Sequence, residues 1–255
     1  MSKFIEKLKR VSEGEAQPLG FGIRAATRTP QMVLGAIVAK DDIGIVAGAV
    51  EKGADVLLIS MPSVTEGLSE LGRVSQLAAD VPWGVWLESM TPEEVKQVRE
   101  MGCDFILFGG ARTPSTLLRE EGLGRIMKID PSLSDSLLRA IDRLPVDALL
   151  IGNGIEEPSL NVYQLMNYYR FVLLTRKPLL ILVPASMSGL EVEMVWEAGL
   201  AGIFVKAELA LFEDRLSALR QAIDKLPVSR KKPRTPADVS LPYLGEQPAR
   251  PERQR

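Results

Sequence analysis

Apolar residues fall along this chain in short, nearly continuous runs, each followed by a longer stretch in which they recur every three or four positions. The runs Met32–Ala39, Asp55–Ser60, Trp83–Glu88, Asp104–Phe108, Arg125–Ile129, Asp147–Ile151, Leu179–Val183 and Ile203–Lys206 read as strands. Strands without polar alternation are those of a parallel sheet covered by helices. The intervening stretches carry helix signals. Asp41–Gly53 ends at a glycine, and Thr65–Ala79 follows the second strand. Thr91, Pro92 and Glu94 form a capping box with proline at the first helical position, and Ser188 with Glu191 repeats the device. Thr113-Pro114 opens a short helix to Glu120; Ser134–Arg143, Asn161–Leu174 and Leu211–Leu226 complete the set.

Eight strand–helix units predict a closed (β/α)8 TIM barrel, of class α/β, with Ile37, Leu57, Val85, Ile106, Leu149, Leu180 and Phe204 buried in its strands. A doubly wound open sheet is the alternative. It lacks support, because neither a Gly-x-Gly-x-x-Gly turn nor a P-loop is present.

The ends differ from the middle. Residues 1–30 form a lead-in, in which Phe4, Ile5, Leu8 and Val11 have the spacing of a short amphipathic helix able to cap one barrel end. Residues 31–227 are the barrel. Residues 228–255 are rich in Pro and Arg, with Arg230, Lys231, Lys232 and Arg234 clustered, and read as a disordered basic tail.

Composition narrows the chemistry chiefly by one absence: there is no histidine among the 255 residues. Histidine-ordered triads and the usual zinc and iron sites are thereby excluded, and proton transfer falls to Glu, Asp, Lys or Tyr. A metal would be a hard cation such as Mg²⁺, held by oxygen. The net charge of −2 gives no general field for nucleic acid or membrane. The single Cys103 precludes an internal disulfide and reads as a small structural hydrophobe. No apolar signal core follows Met1, and charges interrupt the longest apolar stretches, so a cytoplasmic protein without membrane contact is expected.

Barrels of this kind bind ligands with the loops that follow each strand. On that rule Lys40, Glu88, Gly109, Gly110, Arg112, Lys128, Asp130, Asn153, Ser186 and Lys206 lie on one face. Lys128 and Asp130 are two apart in the fifth strand, so their side chains share a side. A lysine there forms a Schiff base, holds an anion or fills the mouth as half of an ion pair with Asp130 or Glu88. Glu88 is placed as a proton carrier and Lys206 as a second cation. Lys40, Arg112, Asp130, Asn153 and Ser186 would contact substrate. Gly109 and Gly110, before a helix start, would let an anion approach the backbone; an ordinary tight turn explains the same glycines.

From Met32 to Leu226 the chain resembles the aldolase-type TIM-barrel superfamily, on the strength of its repeat architecture and a lysine at a strand end. The resemblance implies a lyase or synthase acting on a small anionic metabolite. Two features depart from the superfamily's pattern. The turns after strands seven and eight, Pro184–Gly189 and Lys206-Ala207-Glu208, are not glycine-rich phosphate loops, and the lysine is on strand five where Schiff-base members carry it on strand six. Two other functions stay open: a barrel binding a flavin or nucleotide through Gly109, Gly110 and Arg112, and a catalytically silent assembly module. No cofactor is required by the sequence, and homo-oligomers are compatible with it.

Overall fold

The computed structural model describes residues 2–13, 30–88, 90–152, 159–207 and 212–227. Eight parallel strands close on themselves in sequence order. They are β1 (Val33–Ala39), β2 (Val56–Ser60), β3 (Trp83–Leu87), β4 (Phe105–Gly109), β5 (Gly124–Ile129), β6 (Ala148–Ile151), β7 (Leu179–Val183) and β8 (Gly202–Lys206). The pairing of Val33 with Gly202 belongs to the β1–β8 ladder that completes the ring. Helices α1 (Lys3–Glu13), α2 (Val46–Glu51), α3 (Leu68–Leu77), α4 (Pro92–Glu100), α5 (Asp135–Ile141), α6 (Val162–Leu174), α7 (Gly189–Glu197) and α8 (Phe212–Asp224) accompany it. The seven strand residues expected to be buried are all buried. Asn153, the segment 14–29 and the tail 228–255 lie outside the described residues.

Period two along the strands divides the core. Ile37, Leu58, Leu107, Ile126 and Leu150 join an inner cluster, while Val38, Ile59, Phe108, Met127 and Leu149 join an outer one beneath the helices. The inner space is filled by setting phenyl rings on glycines. A Cβ on Gly35 would stand 2.3 Å from the Phe204 ring, and one on Gly84 would meet the Phe105 ring at 2.6 Å.

Helix α1 plugs the N-terminal end of the barrel. Its Phe4 ring lies 4.7 Å from Phe105 and 6.2 Å from Phe204, centroid to centroid. The first turn is held by Asp104, just before β4, whose carboxylate accepts from Ser2 Oγ (2.7 Å) and from the backbone N–H groups of Lys3 (2.8 Å) and Phe4 (2.9 Å). An anion at that position also suits the helix dipole. Further along, Lys7 pairs with Asp55, which also binds Arg220 at 2.9 Å. The sequence presents Asp55 and Asp104 as the first residues of strands; they are instead the ties that hold the plug.

Two helices depart from expectation. Asp41–Gly53 begins as a 3-10 segment, Lys40–Ile45, kinked at Asp42, before α2. Gly44, Gly48 and four β-branched residues between 43 and 50 lower the helix propensity of that stretch. After β4 only a 3-10 turn, Ser115–Arg119, stands where the other units have an α-helix. The expected capping boxes of α4 and α7 form, and α6 has a third from Asn161 and Gln164.

Candidate functional site

Lys128 points into the barrel mouth. Its strand neighbours Met127 and Ile129 pack outward and Ile126, two positions earlier, packs inward, so the lysine follows the inner register. Its stem runs past Gly152, and its ammonium sits 4.9 Å above the centroid of the Trp86 ring, also inward-facing. The carboxylate placed against it is Glu88, with Oε1 3.5 Å from Nζ. The Asp130 carboxylate is turned to the following loop, where it accepts from Ser132 N–H (2.8 Å) and Ser132 Oγ (2.6 Å). Of the two partners foreseen for Lys128, Glu88 is the one in reach.

The pair is not sealed from water. The Lys128 side chain keeps 27% of its surface and Glu88 keeps 64%. An ion pair this open contributes about 0–1 kcal/mol to stability, and the cation–π contact about as much. Both neighbours attract the ammonium, an arrangement suited to holding an anion.

Lys128, Glu88, Asp130, Gly109 and Gly110 border the head of an open groove of about 660 Å³ that runs down the outer side of β5, past Met127 and Ile129, to Leu133, Leu137, Ile141 and Leu144 of and around α5. That volume is typical of small-molecule sites. Five predicted residues are thus brought together. The others are not. Lys40 pairs with Glu66 at 3.4 Å, Arg112 is exposed and does not line the groove, and Lys206 is exposed at the end of β8, beside Ile37 of β1 in register. Ser186 lies in a separate depression between α7 and α8. Trp86 escaped the sequence reading, although standing two residues before Glu88 put it on the same side. The apolar wall from α5 gave no such signal, because its residues look like ordinary helix packing. A larger hollow of about 930 Å³ opens at the opposite end, among Lys9, Arg143, Asp147 and Lys177, away from the strand C-termini.

Among the described residues no group of three or more His, Cys, Asp or Glu side chains could hold a metal ion. Nor is any described helix long and apolar enough to cross a membrane.

No protein-family model matches the chain, and no curated protein is significantly similar to it in sequence. Solved structures do match. Tryptophan synthase from M. tuberculosis aligns with a TM-score of 0.60 at 13% identity, over 77% of this chain and 94% of that one. Thiamine phosphate pyrophosphorylase from Pyrococcus furiosus aligns with a TM-score of 0.59 at 14% identity, over 76% and 96%. A cube-shaped cage designed by fusing symmetric oligomeric domains aligns at 0.60 and 15% identity, over 76% and 73%. The chain is a TIM barrel. Identities this low establish the likeness of fold and nothing about the reaction.

Proposed function

We propose that this TIM barrel is a lyase or synthase that acts on a small anionic metabolite at the β3–β4–β5 side of its mouth. The observation that carries the reading is the Lys128–Glu88 pair, 3.5 Å apart with the ammonium over Trp86, at the head of a groove of about 660 Å³. In this reading Lys128 holds the substrate's anionic group and stabilises the negative charge that develops as a bond to carbon is made or broken. Glu88, exposed at the rim, removes or returns the proton. Gly109 and Gly110 let the substrate approach the end of β4 closely, and Asn153 orients it. Lys40 and Lys206, on other strands, raise the local anion concentration by long-range attraction. The Glu88 carboxylate lies against the end of β4, where a Cβ on Gly109 would stand in ordinary contact with its Oε2 at 3.6 Å.

The test is a thermal-shift screen of carboxylates, phosphates and flavins against the wild-type chain, followed by calorimetry on hits. A stabilising anion whose binding disappears in Lys128→Met supports the reading. A flavin as the sole hit, bound equally by Lys128→Met, would replace it with the nucleotide-binding alternative.

A further inference from the structure

The outermost line of α6 is apolar from end to end. Val162 is 75% exposed, Met166 63%, Tyr169 38% and Leu173 66%, with Tyr163 beside them at 72%. At 100° per residue the first four fall within about 60° of arc, opposite Phe171, which is fully buried. Among the described residues nothing covers the stripe. Leu190 at the start of α7, 68% exposed, extends it, because the neighbouring Glu191 accepts from the Leu160 N–H at 2.7 Å and brings the two helix starts together. The largest contiguous apolar patch on a soluble monomer is about 300–600 Å² and is often functional. The five α6 side chains expose on the order of 500 Å² or more.

We infer that this face is the contact between two copies of the chain, packed α6 against α6 about a two-fold axis. Three observations favour a second copy over an unlike partner. The spacing of Val162, Met166, Tyr169 and Leu173 is four, three, four, which reads the same in both directions. A two-fold axis crossing the helix at its middle therefore sets Val162 of one copy against Leu173 of the other, and Met166 against Tyr169. An isologous contact needs that self-complementarity. Charge is the second. The only ionisable side chains of α6 besides its tyrosines reduce to Arg170, and its guanidinium is already committed to Asp135 and to the carbonyls of Pro131 and Leu133. A charged face would repel its own copy near the axis, and this one carries nothing to repel. Area is the third. Two such stripes bury roughly 1,000 Å² before the flanking helices are counted, about the lower limit for a specific interface.

Sedimentation velocity of the full chain at tens of micromolar tests it, together with Leu173→Glu and, independently, Val162→Glu. Val162 is at the first helical position, where a carboxylate suits the helix dipole, so that variant keeps its fold. The wild type should sediment as a dimer and both variants as monomers with unchanged circular dichroism. In a second arm, Met166→Lys and Met166→Glu should each be monomeric and should associate when mixed, since position 166 lies close to the axis. A monomeric wild type overturns the inference, and so does a dimer that survives both Leu173→Glu and Val162→Glu.

Discussion

Gly152 makes the space that the Lys128 stem occupies: a Cβ at position 152 would stand 2.8 Å from Lys128 Cε and 3.4 Å from its Cγ. The atoms in the way belong to a flexible side chain, so the lysine can swing aside where backbone could not. Gly152→Ala should therefore displace the ammonium from Trp86 and Glu88 at little cost to the fold. We expect anion binding to weaken tenfold or more, about 1.4 kcal/mol, with a melting temperature within a few degrees of wild type. Unchanged binding alongside a large drop in melting temperature would show that Gly152 serves the backbone and not the lysine.

Phe4 fills the lumen from below, in contact with two further phenyl rings and under the Asp104 cap. Phe4→Ala should destabilise the protein by about 3–5 kcal/mol, the cost of emptying a buried aromatic site. Denaturant melts check this. A loss under 1 kcal/mol would mean that α1 is an appendage and not part of the core.

Burial pushes the Cys103 thiol up from 9.0 to about 12, and its Sγ donates to the Phe105 carbonyl at 3.0 Å. The native protein should not react with a thiol reagent at pH 8, and labelling should follow global unfolding. A folded-state value above the unfolded one means that burial stabilises fully below about pH 9.0, and that this contribution fades as pH rises toward about 12. Tyr168, pushed by burial from 10.0 to about 12, acts in the same direction. Cys103→Ala should remove part of the alkaline slope in stability; an unaltered slope would assign it to Tyr168 and other groups.

The strand pattern, the barrel and the place of Lys128 near a strand end were legible because each depends on short-range periodicity. Thr91 and Ser188 announced their helices for the same reason. What was hidden depends on register between strands. The partner of Lys128 is Glu88, 40 positions away, and no local signal distinguishes it from Asp130, two positions away. The clearance at Gly152 arises where the end of β6 meets the side chain of β5, which sequence spacing does not express. Arg112 and Lys206 show the converse. Both follow strands whose ends gather on one face, yet neither lines the groove beside Lys128.

Lys128→Met, measured by calorimetric binding of the anion that stabilises the wild type and by thermal melting of the same preparations, bears most directly on the site. The substitution keeps the stem and removes the charge. Because Glu88 is largely exposed, losing its partner strands no buried carboxylate, and stability should change by less than about 1 kcal/mol. Binding should fall below detection, and turnover, once a reaction is found, should lose about 3–4 kcal/mol of transition-state stabilisation. A Lys128→Met protein that binds the anion as tightly as the wild type would contradict the account.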